Sequence, residues 1–388
     1  MPDTKPQRHP VFIKASLLLI VAVLLLTACV SAPTPAPSQS IPSPVVVLPT
    51  VKPSETLDPP IPTALPTALP TPTPCFPIYS ESPHPLQIEE MRKKVYEGSE
   101  ITIEETLPEK DTYRRYIASY LSDGYKVYAF FTIPKGLKPE TGWPVIIFNK
   151  GYNPPGEYRT NDWYVDFIAS RGYIVIKSDY RGVGLSEGGP IPGGAYGSPA
   201  YTEDVLAALA AIKKYPDADP NRIGMWGHSM GGQITLRAMV VAGKDIKAAS
   251  IWSGVVAPYP DPFAQRPQLL TPNVPGGAQS QGGYRGWVST MMNAYGNPVL
   301  NPNFWTSVSP NSYLNDLGGP IQLHHSELEK TVPIAASEIL YSQLLEAGCT
   351  ECEFFRYPGD DHLLAGSYVL AVRRTMDFLD KHVKHYRD

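Results

Sequence analysis

The chain has 388 residues, 43% of them hydrophobic and 18% charged, with a formal net charge of −4. That length suits two average domains or one large α/β domain with additions, and a nearly balanced charge without a basic cluster among aromatics excludes a nucleic-acid surface. The unusual feature is proline, 43 residues, whose distribution matters more than its count.

Lys5, Arg8 and Lys14 precede an apolar run from Ala15 to Leu26, which ends in Leu26-Thr27-Ala28-Cys29. A charged start, a short apolar stretch and small closing residues describe an export signal. The run is shorter than the roughly 20 residues a membrane-spanning helix needs. Leu-Thr-Ala-Cys resembles the lipobox of bacterial lipoproteins. That resemblance implies a signal peptide at 1–28, lipidation at Cys29 and a protein anchored to the outer face of a bacterial membrane without spanning it. A cleaved secretory signal with an incidental cysteine is the alternative.

Residues 29–79 continue with the lipidated cysteine and a stretch of Pro, Thr, Ser and Ala, including PTALPTALPTPTP at 62–74. Such a segment buries too little apolar surface to offset its conformational entropy and is expected to stay disordered. Extended polyproline II at about 3.1 Å per residue would make it a spacer on the order of 140 Å long. Of the other cysteines, Cys75, Cys349 and Cys352 lie in an export setting that permits a disulfide. One bridge is expected, either within Cys349-x-x-Cys352 or from one of these to Cys75. Two cysteines are too few for a zinc site, and no metal or other cofactor is expected.

Residues 80–388 read as one domain. Arg115–Leu121 and Tyr125–Ile133 flank Ser122-Asp123-Gly124 as a predicted antiparallel hairpin. Strand-length apolar runs follow at Val145–Phe148, Ile174–Lys177, Arg222–Trp226, Ala248–Trp252, Ile321–Leu323 and Glu353–Tyr357. Helical patterns fall between and after them, at about 160–170, 202–215, 230–242, 334–347 and 366–385. This alternation predicts an α/β fold, a mostly parallel sheet covered by helices on both faces. The interval from about 255 to 319 is too long for an ordinary connection and reads as a cap over the C-terminal edge of the sheet. Its Trp287, Tyr295 and Trp305 line a pocket or form the cap's own small core.

Within this pattern lies Gly227-His228-Ser229-Met230-Gly231, between the strand RIGMW and a helical run. Strand, turn and helix are the context that gives G-x-S-x-G its meaning, with a serine projecting from a tight turn as nucleophile. The amide of Met230 and the helix N-terminus face the place where negative charge would develop. A serine hydroxyl needs a general base, which in α/β hydrolases follows the acid in chain order. Of eight histidines, His362 follows the strand EFFRY in the loop PGDDHLLAG and is the candidate base. His324 and His325 end the preceding strand and are its rivals. His9 lies in the signal, His84 precedes the domain, His228 sits on the wrong side of the turn, and His382 and His385 read as a solvated helix face.

The loop HHSELEKTVP at 324–333 resembles that of prolyl oligopeptidase-type hydrolases, commonly H-G-x-x-D-x-x-V-P. Aligning Val332-Pro333 on its end puts Glu329 in the acid position, with Glu327 next. Asp360 and Asp361 are close to His362 along the chain and would orient it. The resemblance covers roughly 110–388. It is also carried by Asp219-Pro220-Asn221-Arg222-Ile223-Gly224 before GHSMGG, by Asp179-Tyr180-Arg181-Gly182-x-Gly184-x-Ser186-x-Gly188, and by Ser309-Pro310. It implies an α/β-hydrolase fold and serine hydrolase chemistry closest to acylaminoacyl- and dipeptidyl-peptidase catalytic domains. Two departures stand out: too few residues precede the domain for the family's β-propeller, and Asn149-Lys150-Gly151-Tyr152 replaces the frequent His-Gly. The second oxyanion amide is expected from Tyr152, with Gly151 permitting close backbone approach.

The expected partner is a small peptide or ester substrate, with a membrane surface met through the lipid anchor; oligomeric state is not legible. A peptidase acting on short or N-blocked peptides leads, a carboxylesterase is second, and a non-catalytic binding lipoprotein on a hydrolase fold is third.

Overall fold

The computed structural model describes residues 79–386, apart from 81, 153–161, 190, 192–193 and 261–283. The expected signal peptide, Cys29, the linker up to residue 78 with Cys75, and the middle of the cap interval lie outside the described residues. Helix α1 (Ile88–Lys93) and strand β1 (Thr102–Leu107) lead into β2 (Tyr113–Ser122) and β3 (Tyr125–Pro134). Then come β4 (Trp143–Asn149), α2 (Asp162–Ser170), β5 (Ile174–Ser178), α3 (Gly194–Gly197) and α4 (Ala200–Ile212). Strand β6 (Ala218–His228), α5 (Met230–Ala242) and β7 (Ala249–Trp252) precede the cap helices α6 (Tyr284–Tyr295) and α7 (Pro302–Val308). The chain ends with β8 (Ile321–Ser326), α8 (Ala335–Glu346), β9 (Glu353–Tyr357) and α9 (Tyr368–Leu379).

These strands form one sheet in the order β1-β2-β3-β5-β4-β6-β7-β8-β9. The first three are antiparallel, β3 also pairs antiparallel with β5, and every pairing from β5 through β9 is parallel. The hairpin at Asp123-Gly124 is present, both residues having positive φ (51° and 81°), as a two-residue turn matching strand twist requires. Strand β1 gave no signal in the sequence because it has no apolar face. TIEETL is exposed at every position but Leu107 and is held by its ladder to β2.

The central strands read as continuous apolar runs because both faces are covered. All five residues of β5 and all of β4 after Trp143 are buried. On one face α4, α5 and α8 supply Val205, Leu209, Ile234, Leu236, Leu340 and Leu344 to the core. On the other, α2 and α9 supply Tyr164, Val165, Ile168, Val372, Met376 and Leu379. Among the described residues no helix is long and apolar enough to cross a membrane.

The cap has its own small core, which decides between the two readings of its aromatics. Trp287 and Trp305 are buried with Tyr259, Val288, Met291, Phe304 and Val308, and Tyr295 stacks on Phe304 at 4.1 Å. The segment before α1 belongs to the same cluster through the buried Leu86. His84, ahead of the first strand, packs edge-on against Tyr295 at 5.6 Å, and burial beside Arg237 lowers its pKa to about 4. From α5, the buried Arg237 guanidinium donates to the Leu86 and Val308 carbonyls at 2.8 and 2.9 Å, tying this cluster to the sheet. His382 also departs from expectation: its side chain is only 10% exposed and packs on Phe378 at 4.6 Å. The disulfide forms within the Cys349–Cys352 pair.

A buried ion pair fixes the loop after β5. The Arg181 guanidinium meets the fully buried Asp204 carboxylate at 2.7 Å, and the Arg181 amide donates to the same carboxylate at 2.7 Å. The guanidinium also donates to Ser122 and Asp123 and lies 3.8 Å from Glu203. Removing one partner of such a pair strands a buried charge. Arg181→Met is therefore expected to cost about 3–5 kcal/mol in urea denaturation, whereas Arg181→Met with Asp204→Leu should recover part of the loss. A double variant no more stable than the single one would show that Asp204 is not stranded.

Candidate active site

Ser229 stands between β6 and α5 with φ 55° and ψ −121°, a backbone conformation a serine adopts only under constraint. Three backbone hydrogen bonds impose it. The Ser229 amide donates to the Trp252 carbonyl at 2.9 Å, and its carbonyl accepts from Gly232 and Val255 at 2.9 and 3.1 Å. The flanking glycines leave no room for side chains. A Cβ at Gly227 would meet Thr235 Oγ1 and the Gly231 carbonyl, and one at Gly231 would fall on the Asn149 carbonyl oxygen. Ser229 is half-buried, while residues 223–228 before it and Met230 after it are buried. The strained turn thus lifts one hydroxyl out of an otherwise covered strand and helix.

The loop after β4 runs alongside. A Cβ at Gly151 would lie 3.2 Å from Ser229 Cβ and 3.3 Å from His228 Nδ1, so the absence of a side chain there sets how closely this loop approaches the turn. Tyr152 follows it and is 48% exposed. Met230 opens α5 as its first residue, directly after Ser229. The Lys150 side chain turns inward, with Nζ 4.9 Å from the Tyr180 ring centre. Burial lowers its pKa to about 8, with Asp179 opposing the shift and Lys177 adding to it. The Tyr180 hydroxyl donates to the Lys150 carbonyl at 3.1 Å and holds the loop from beneath.

The candidate base and acid meet although 33 residues separate them in the chain. His362 Nδ1 lies 2.6 Å from Glu329 Oε1; the glutamate side chain is fully buried, and that of His362 is 23% exposed. Glu329 Oε1 also accepts from the amides of Thr331 and Val332 at 3.1 and 2.7 Å. Burial by itself raises this carboxyl's pKa. Contacts with His325 and His362, together with the Val332 amide, outweigh it and hold the group well below the usual carboxylate range. Glu329 is therefore ionised against the base. Glu327 is exposed, and its amide donates to the Tyr357 carbonyl at 3.0 Å.

His324 and His325 point into the interior. His324 contacts Tyr357 Oη at 2.7 Å and Gln322 Oε1 at 2.6 Å, and burial holds its pKa far below normal. His325 Nε2 lies 2.9 Å from the Val332 carbonyl and 3.2 Å from Glu329 Oε2, while its Nδ1 lies 2.8 Å from Ser337 Oγ. It braces the acid loop, a role no periodicity in the sequence reveals. Asp360 and Asp361 shape the base loop: Asp360 accepts from the amides of Asp361, Gly366 and Ser367, and Asp361 from those of Leu363 and Ala365. His228, set aside in the sequence, reaches the His362 carbonyl with Nε2 at 3.0 Å. Among the described residues no group of three or more His, Cys, Asp or Glu side chains is placed to hold a metal ion.

A model of the X-Pro dipeptidyl-peptidase (S15) family matches residues 123–295, a stretch holding Tyr152, Ser229 and Met230 but ending before Glu329 and His362. A probable dipeptidyl-aminopeptidase B of Aspergillus terreus is 30% identical over 161 residues, 37% of this chain and 17% of that protein. The acylaminoacyl peptidase of Pyrococcus horikoshii superposes with a TM-score of 0.53 at 21% identity, covering 72% of this chain and 43% of the peptidase. Est1E of Butyrivibrio proteoclasticus with ferulic acid bound gives 0.53 at 19% identity, covering 69% of this chain and 99% of the esterase. The chain thus spans less than half the length of these two peptidases and nearly all of the esterase. The fold is that of the α/β hydrolases.

The depressed Glu329 carboxyl links stability to pH with a definite sign. A folded-state pKa below the unfolded one contributes stability that is present above the unfolded value, about 4.3, and is lost as pH falls further. The difference in urea midpoint between wild type and Glu329→Gln should accordingly be largest at and above about pH 5 and shrink toward about pH 3. A constant difference over that range would mean that Glu329 is not held ionised.

Proposed function

We propose that this chain is a serine hydrolase that cleaves acyl bonds through an acyl-enzyme, and that it acts as a peptidase on short or N-blocked peptides. The observation that carries the reading is the pairing of a serine strained onto a glycine-flanked turn with a histidine 2.6 Å from a buried, ionised glutamate. The S15 family match supports peptidase over esterase. A non-catalytic role is disfavoured, because a binding module has no use for a strained serine or a buried carboxylate held against an imidazole.

In this reading Ser229 Oγ attacks the acyl carbonyl while His362 Nε2 takes its proton. Glu329 keeps the other proton on Nδ1 and stabilises the imidazolium that forms. The Met230 and Tyr152 amides hold the oxyanion, aided by the positive end of α5. Collapse of the tetrahedral intermediate sends the His362 proton to the leaving amine or alcohol. Water then attacks the acyl carbon as His362 takes its proton. The second tetrahedral intermediate breaks its bond to Ser229 Oγ, which takes the proton back from His362 as the acid leaves. Glutamate in place of aspartate is accommodated because the Thr331 and Val332 amides hold its longer side chain.

A carboxylesterase is the second reading, favoured by the fact that the structural likeness covers 99% of the esterase chain but 43% of the peptidase. Esters and amides meet the same three groups, so fold and site do not separate them. The Leu26-Thr27-Ala28-Cys29 sequence supports a further proposal, that Cys29 is lipidated and the hydrolase is held on the outer face of a bacterial membrane. Radiolabelled palmitate should enter wild type and not Cys29→Ala in a bacterial host; equal labelling of both would remove the anchor from this account.

The decisive test compares kcat/KM for an ester and an amide of one acyl group, over free and N-acylated residues, with Ser229→Ala as control. Amide turnover comparable to ester turnover in any member supports the peptidase, and ester turnover without amide cleavage makes the protein an esterase. Glu329→Ala should lower kcat by about 10³–10⁴, and Glu327→Ala should leave it near wild type. The reverse pattern would move the acid to Glu327.

A further inference from the structure

His228 is buried beside Ser229, and the proposed chemistry makes no use of it. Its ring lies 4.8 Å from that of His362, and its Nε2 is 3.0 Å from the His362 carbonyl oxygen. A carbonyl only accepts, so Nε2 carries the hydrogen. Burial, with His362 adding to it, lowers the His228 pKa to about 4. The ring is therefore neutral at pH 7 and Nδ1 is bare. That nitrogen is buried without a hydrogen-bond partner, near the space a Cβ on Gly151 would enter. An orphaned buried acceptor is destabilising, whereas a phenylalanine would fill the same ring site without one.

The next carbonyl of the base loop is held in a similar way. Tyr164 Oη donates to the Leu363 carbonyl at 3.3 Å, and the Tyr164 ring lies 6.0 Å from that of His228 at an interplanar angle of 28°. Two consecutive carbonyls of the loop that carries the base are thus gripped by ring donors. One of these donors sits on the same turn as the nucleophile.

We propose that His228 is a positioning residue whose Nε2–H fixes the main chain of His362 and so holds the base in register with Ser229. This rests on the assignment of Ser229 and His362 as nucleophile and base. His228 and Ser229 are consecutive, so a hydrogen bond from one to the base loop sets the geometry of the other without touching substrate. A shift on the order of 1 Å between base and nucleophile can cost about a hundredfold in rate, while substrate binding is left intact.

Three variants of the full chain test this. Glutamine carries an amide nitrogen to the place of Nε2, asparagine ends near the place of Nδ1, and phenylalanine fills the ring site with no donor. His228→Gln should keep kcat within about threefold of wild type, while His228→Asn and His228→Phe lose about 10- to 100-fold in kcat with KM little changed. A role in packing alone predicts the opposite order, phenylalanine best and glutamine impaired, and that result would overturn the proposal. If His228→Phe does not fold, the comparison of glutamine with asparagine decides, and equal turnover in those two also overturns it. Ser229→Ala and His362→Ala run in parallel. If either keeps wild-type turnover the underlying assignment falls; if both are inactive and His228→Phe is fully active, only the role of His228 falls.

Discussion

A Cβ on Gly231 would fall on the carbonyl oxygen of Asn149, and that close approach between α5 and the end of β4 is the constraint on which the candidate site depends. Two backbones in contact leave no slack. The residue before the helix reverses direction at positive φ. Ser229 takes that position although glycine would take it more easily. Its own backbone bonds to Trp252, Gly232 and Val255 hold it there. The surrounding backbone over-determines this one residue and so maintains its strained conformation.

The same tightness governs the electrostatics. Glu329 is removed from water, which alone would favour its neutral form. Two backbone amides and two imidazoles converge on it and reverse the outcome. Burial holds His228 and His324 below their ordinary pKa, and His325 and His362 lie directly against Glu329. Placement relative to one buried carboxylate separates four similar side chains into different roles.

The parallel sheet explains how His362 comes to meet both Glu329 and His228, the neighbour of Ser229. Parallel strands present all their C-terminal ends at one edge, and the loops leaving those ends are neighbours whatever their separation in the chain. Ser229 leaves β6, Glu329 leaves β8 and His362 leaves β9. The cap arises between β7 and β8 and folds around its own aromatic cluster, anchored by Arg237 of α5. Trp287 and Trp305 are thereby committed to holding the cap together.

Much of this was written locally in the sequence. The apolar runs of β4 to β9, the turn at Asp123-Gly124 and the glycines around Ser229 follow from periodicity and backbone sterics, which act over a few residues. The spacing from Val332-Pro333 back to Glu329 likewise named the carboxylate that lies against His362. What tertiary structure alone decided depends on groups meeting across the fold. Strand β1 has no apolar face and exists only through its ladder to β2. The small core of the cap and the Cys349–Cys352 bridge were each one of two open alternatives. The bracing of Glu329 by His325 and of His362 by His228 was not legible at all. A histidine carries no mark of its partner in the chain; burial and the group placed opposite it determine its protonation and its bond, and both are set only when the loops have closed.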